Sequence, residues 1–165
     1  MDILGVDIGG VIIGQGNDSN DTSFFSDNFL ATPAMPGVFA ELARLVDTKF
    51  GDQVYLVSKC RKRVQDRSLA WLQHRRFFEL TGISPDNVRF CRKRPRKAAI
   101  ARKLRLTHFV DDRLEVLGYL DTVVENLYLF RPKPDEIQRH RQHLPRVRIV
   151  QSWTDLSTAI LGQTA

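Results

Sequence analysis

The chain has 165 residues, is 42% hydrophobic and 27% charged, and carries 25 Lys and Arg against 19 Asp and Glu, a formal charge of +6. That size and balance suit one globular domain over 1–165 and exclude a disordered or fibrous chain. The longest apolar stretch near the start, Ile3 to Ile13, is interrupted by Asp7 and preceded by Asp2, which excludes a membrane span or signal peptide and predicts a cytoplasmic protein. Cys60 and Cys91 are the two cysteines. Neither has metal-ligand spacing, so both are expected as free thiols in a reducing compartment.

In chain order, Ile3, Leu4, Val6 and Ile8 predict a buried strand over about 2–8 that stops at Gly9 and Gly10. The polar stretch from Gly14 to Thr32, with Gln15, Asn17, Asp18, Ser19, Asn20, Asp21 and Thr22, suits a surface loop or flap. Pro36 opens a helix carrying Val38, Leu42 and Leu45 at helical spacing, and Gly51 stops it. A second buried strand runs from Gln53 to Ser58. A long basic helix follows over about 61–81, with Val64, Trp71 and Phe78 repeating every seven residues and Gly82 closing it.

Val88 to Cys91 predicts a weak strand, Arg96 to Leu104 a short helix, and His108 to Val110 a strong strand ended by Asp111 and Asp112. Leu127 to Phe130 and Val147 to Val150 predict two more strands, and Trp153 to Leu161 a closing helix. This alternation implies an α/β, Rossmann-like three-layer sandwich around a mostly parallel sheet. His140 and His143, three residues apart in an Arg-rich segment, read as surface residues.

The charge is uneven. Residues 1–58 hold two cations against eight acids, and residues 59–105 hold sixteen Lys and Arg against three acids. Such a basic block is either a solvated helical face or a surface for nucleic acid or another polyanion.

Ligands of an open parallel sheet bind beyond the carboxyl ends of its strands. Asp7, Ser58, Asp111 and Asp112 all stand at predicted strand ends, and an acid cluster there needs a cation, with Mg²⁺ the natural hard ion. Lys97 opens the helix that feeds the Asp111-Asp112 strand, which would bring its ammonium to the same edge. Taken alone, Asp7 also reads as a turn former and Ser58 as the cap of the following helix.

Gly5-Val-Asp7-Ile-Gly-Gly, Leu56-Val-Ser58, Lys97 at a helix start and Phe109-Val-Asp111-Asp112-Arg113 resemble the four ordered motifs of the haloacid dehalogenase-like hydrolases, which are mostly phosphatases. The resemblance implies that Asp7 is a nucleophile forming an aspartyl-phosphate, that Ser58 and Lys59 bind the phosphoryl group, and that Lys97 steadies both. Lys93 is the alternative for the lysine. It further implies Mg²⁺ held by Asp7, the Gly9 carbonyl and Asp112, with Asp111 a direct or water-bridged ligand. The family's usual second Asp, two residues after the nucleophile, is Gly9 here.

The segment from 14 to 35 is too short for the helical cap many relatives insert, so no large cap domain is expected and the site should be open, unless a homo-oligomer closes it. The end of the chain, Val147 to Trp153, is similar to that of small deoxyribonucleotidase-like members. The implied function is a Mg²⁺-dependent phosphomonoesterase acting on a nucleotide or a phosphorylated nucleic-acid end. The rival is a catalytically weak or inactive relative that binds a polyanion, such as nucleic acid, through residues 59–105.

Overall fold

The computed structural model describes residues 1–14, 24 and 26–162. Six strands, β1 (Leu4–Val6), β2 (Val54–Lys59), β3 (Val88–Cys91), β4 (His108–Asp111), β5 (Asn126–Phe130) and β6 (Val147–Val150), form one sheet in the order β3-β2-β1-β4-β5-β6. Every pairing is parallel. The three residues of β1 and all four of β4 are buried, as strands covered by helices on both faces must be. The chain steps outward from β1 to β3, then returns to β4 on the other side of β1. The sheet therefore reverses its winding between β1 and β4, which opens a crevice at their carboxyl ends.

Among the described residues, seven α-helices cover the two faces: α1 (Val38–Leu45), α2 (Lys62–His74), α3 (Phe77–Thr81), α4 (Arg96–Leu104), α5 (Leu114–Tyr119), α6 (Pro134–Arg139) and α7 (Trp153–Leu161). One core joins Leu4, Val6 and Leu56 to Leu42 of α1, Trp71 of α2, Phe77 of α3 and Trp153 of α7. A second joins Val57, Phe109 and Leu129 to Ala101 of α4 and Leu114 and Leu117 of α5. These are the outer layers of the expected sandwich. Both buried indoles find acceptors: Trp71 Nε1 donates to the Thr32 carbonyl (2.9 Å) and Trp153 Nε1 to that of Val11 (2.8 Å). A Cβ at Gly5 would stand 2.6 Å from the Phe109 ring, so the central strand accepts no side chain there.

The predicted helix over 61–81 is two helices. It breaks at Arg75 and Arg76, with Arg76 in the left-handed region at φ 57°. The break shifts the frame by one residue, so Phe77 rather than Phe78 is fully buried, against Phe39. Arg75 donates across the break to the carbonyls of Leu30 and Thr32. The helix predicted from Pro36 begins at Val38 after a turn at Gly37, and α5 and α6 arise where no element was expected. In the predicted loop, Phe29–Ala31 form a 3₁₀ turn, whereas Gln15, Asn17, Asp18, Ser19, Asn20, Asp21 and Thr22 lie outside the described residues. His140 and His143 are half-buried, and the His143 ring packs where a Cβ on Gly118 would stand.

His108 lies inside the sheet, 3% exposed, stacked on Tyr128 and edge-on to Phe50, with Nδ1 2.8 Å from the Thr107 hydroxyl. Burial pulls its pKa down to about 4, with Asp2 opposing and Lys49 assisting. The folded pKa lies below the unfolded value of 6.5, so this contribution to stability is present above pH 6.5 and is lost as pH falls through 4. The loss reaches about 3 kcal/mol. Chemical denaturation of wild type and His108→Phe at several pH values should show the wild type losing more stability over this window. Parallel curves would contradict it.

Candidate active site

The crevice is built by the ends of β1, β2 and β4. Beyond β1, the Asp7 N–H donates to the Val110 carbonyl (3.1 Å), which fixes the backbone against β4. The chain then hooks away: the Ile8 carbonyl accepts the N–H groups of Val11, Ile12 and Ile13, with Gly10 at φ 80° making the turn. No described backbone amide donates to the Gly9 carbonyl. Asp111 closes β4 and Asp112 follows it. Ser58 lies one residue before the end of β2, and Lys97 is the second residue of α4.

Lys97 Nζ stands 3.0 Å from Asp7 Oδ1 and 2.7 Å from Asp111 Oδ2. Asp111 also accepts the Arg113 N–H through its other oxygen (3.0 Å). Carboxylate oxygens of Asp7, Asp111 and Asp112 lie within 4.8 Å of one another. Burial, then repulsion from Asp111, pushes Asp7 up to about 6 against the pull of Lys97. Burial and the charges of Asp7 and Asp111 raise Asp112 well above the ordinary carboxylate range. Burial alone would lower Lys97, but Asp111 and Asp7 outweigh it and hold the ammonium above its usual range. Three acids thus face one cation, and the excess negative charge is confined to a buried place where it is costly.

These groups floor a cavity of about 430 Å³ that Ser58 and the exposed Lys59 also line. Lys93, the alternative lysine, is exposed and does not line the cavity. Its carbonyl accepts the Arg96 N–H at the entry to α4. Ser58 is not a helix cap, since α2 starts after Arg61 and has no side-chain cap. Both cysteines are free and buried.

Sequence reasoning missed the apolar wall made by Ile13, Phe24 and Val64. Arg61 and Arg94, from the basic runs Lys59 to Arg63 and Arg92 to Lys97 beside the predicted site residues, line the cavity together with Arg113 of the fourth motif. The wall had no signal, because single apolar residues in loops and on a helix look like core.

Two solved structures align along nearly the whole chain. The D,D-heptose 1,7-bisphosphate phosphatase of B. bronchiseptica, in complex with magnesium and phosphate, superposes with a TM-score of 0.66 at 17% identity, covering 99% of this chain and 100% of that one. The chain has the haloacid dehalogenase-like fold. The D,D-heptose 1,7-bisphosphate phosphatase of Burkholderia thailandensis gives 0.60 at 13% identity, again over 99% of this chain and 100% of its own. A haloacid dehalogenase-like hydrolase of Burkholderia xenovorans LB400 gives 0.56 at 17%, over 82% of this chain and 62% of its own. No protein-family description and no curated protein matches the sequence. At these identities the likeness establishes the fold, and the chemistry must be argued from the chain's own residues.

The floor of the cavity fits a hard divalent cation. Its donors are carboxylate oxygens gathered within 4.8 Å, beside a carbonyl at Gly9 that accepts no described amide. That all-oxygen set suits Mg²⁺ and lacks the nitrogen or sulfur ligands a softer metal prefers. Among the described residues, no helix is long and apolar enough to cross a membrane.

Proposed function

We propose that the chain is a Mg²⁺-dependent phosphomonoesterase that works through an aspartyl-phosphate on Asp7. The observation that carries this reading is the Lys97 ammonium bridging Asp7 and Asp111 at 3.0 and 2.7 Å, with Asp112 alongside. A carboxylate held by a buried ammonium is fixed in place, and the same cation can meet a phosphoryl oxygen. An Asp7 oxygen attacks phosphorus, the bond to the leaving oxygen breaks, and water then attacks phosphorus to release phosphate and restore the carboxylate. Ser58 and Lys59 hold phosphoryl oxygens while Lys97 keeps Asp7 oriented. Asp7, Asp112 and the Gly9 carbonyl would hold Mg²⁺, with Asp111 contributing directly or through water. When bound, the ion neutralises charge on the acids and on the phosphoryl group.

Among the described residues, the cavity contains no further carboxylic acid besides those three. Gly9 supplies nothing to protonate the leaving oxygen. Turnover is therefore fastest for phosphates whose leaving group is stable as an anion.

The substrate we infer is a nucleotide or a phosphorylated nucleic-acid end, bound from the cytoplasm in a site served by the one domain. Much of the basic block has structural work. Arg67 donates to the carbonyls of Phe24 and Ser26, Arg75 to those of Leu30 and Thr32, and Arg92 to that of Cys60. Lys62 and Arg76 are spent on Asp66 and Glu79. The exposed Lys59 and Arg61 at the cavity rim make no ion pair with a described residue, so they are the part of the block placed to meet a polyanion.

Phosphate release from an aryl phosphate tests the reading. Release should require Mg²⁺ and fall at least about 10³-fold in Asp7→Asn, which removes the nucleophile. If wild type and variant release phosphate alike, Asp7 is not the nucleophile. If neither does while oligonucleotides still bind, the polyanion-binding rival that Gly9 favours takes its place.

A further inference from the structure

A second cavity, about 590 Å³, adjoins the first and shares Gly14, Asp112 and Arg113 with it. No motif of the sequence accounts for it. Its far side carries Arg131, Lys133 and Arg139, all exposed, and none of them forms an ion pair with a described residue.

Two carboxylates outside the metal cluster line it, Asp135 and Glu136. Glu136 is already engaged: one oxygen accepts the Glu115 N–H (3.1 Å) and the other lies 4.0 Å from Arg113. The cations outnumber the acids free to answer them.

Arg131 stands out within this group. It follows β5 in the left-handed region at φ 43°, a conformation unfavourable for a residue with a Cβ. Its N–H still continues the ladder by donating to the Val150 carbonyl (2.9 Å). The guanidinium reaches Met35 Sδ at 3.3 Å, a weak acceptor for a group with five N–H donors. Pro132 and Pro134 on either side of Lys133 stiffen the segment. Two cations are thus presented on a stiff, strained turn, facing a cavity joined to the phosphoryl site. Backbone strain of this kind gathers where function requires a particular display.

We propose that this cleft binds a second anionic group of the substrate, with Arg131 as the specificity-determining residue and Lys133 assisting. The substrate class is then a phosphomonoester whose leaving portion carries another phosphate or a carboxylate, as a nucleotide with a second phosphate or a nucleic-acid end does. The inference rests on the phosphomonoesterase reading and narrows it.

The test compares kcat/KM for fructose 1,6-bisphosphate with that for fructose 6-phosphate, and for 3-phosphoglycerate with that for glycerol 3-phosphate. The first ratio reads a phosphate as the second anion and the second a carboxylate. Wild type should favour the bis-anionic member of at least one pair by about 10- to 100-fold, the range expected of a charge-assisted, bidentate contact. Arg131→Gly removes the guanidinium and suits the backbone angle, so it should fold and bring that ratio to within about threefold of one. Lys133→Gln, on an exposed side chain, should lower it part of the way. Ratios near one in wild type, or unchanged in Arg131→Gly, would overturn the proposal. If no aryl phosphate is hydrolysed, the phosphatase reading has failed, and calorimetric affinities of the same four compounds are then judged by the same ratios in wild type and Arg131→Gly.

Discussion

Gly9→Asp should raise the turnover of an alkyl phosphate by about 10²- to 10⁴-fold, the usual worth of a positioned general acid and base. Gly9 is exposed to the cavity, and its backbone is not among the left-handed glycines, which are Gly10, Gly37, Gly51 and Gly82. Its φ is therefore not in the region that penalises a residue with a Cβ, and an Asp there stands two residues after Asp7 on the cavity lining. If the chain hydrolyses phosphomonoesters as proposed, the leaving oxygen of the wild type departs without a proton from the protein, and rates should fall steeply as the leaving alcohol becomes more basic. An aryl phosphate, whose leaving group is already stable as an anion, should gain far less from the substitution. Measuring kcat for one alkyl and one aryl phosphate in both proteins checks this. A folded Gly9→Asp protein with an unchanged alkyl-to-aryl ratio would show that leaving-group protonation does not limit the wild type.

Asp112→Asn should stabilise the metal-free protein at neutral pH and abolish its response to Mg²⁺. Asp112 is raised well above the ordinary range by burial and by Asp7 and Asp111, and Asp7 is raised to about 6. For acids whose folded pKa exceeds the unfolded value, the folded state binds more protons, so stability falls as pH rises through the window between the two. For Asp7 that window runs from 3.8 to about 6. Above it the metal-free chain bears repulsion that Lys97 only partly offsets. Neutralising Asp112 relieves it by something on the order of 1–3 kcal/mol, or several degrees in Tm. Mg²⁺ should raise the wild-type Tm, because an ion held by the clustered acids of the folded chain alone stabilises that state. A thermal melt in which wild type and Asp112→Asn show the same Mg²⁺ shift would remove Asp112 from the metal site.

The positions of the strands and the residues at their ends were legible because both depend on local signals that the fold does not override. Short apolar runs such as Leu56-Val57 and Phe109-Val110, each ended by a polar residue, suit buried strands of a parallel sheet, and a polar residue ending such a run lies at the carboxyl end of the strand. Lys97 followed from its place at a helix start. The break at Arg76 was not legible, since a residue in the left-handed region without glycine leaves no mark, and Arg75 settles the turn through carbonyls more than forty residues distant in sequence. Helices α5 and α6 have six residues each, too few for periodicity to register. The duties of Arg67, Arg75 and Arg92 were invisible for a related reason, because a cation count cannot separate a guanidinium facing solvent from one bound to backbone.

The most direct test is to locate the covalent phosphate. Wild type mixed with Mg²⁺ and an aryl phosphate, quenched in acid within one turnover and digested, should yield one phosphorylated peptide. Mass spectrometry should place the group on Asp7, and Asp7→Asn should carry none. Phosphate found on Ser58 or another residue, or steady phosphate release with no trapped phosphoenzyme and no loss in Asp7→Asn, would contradict nucleophilic catalysis by Asp7.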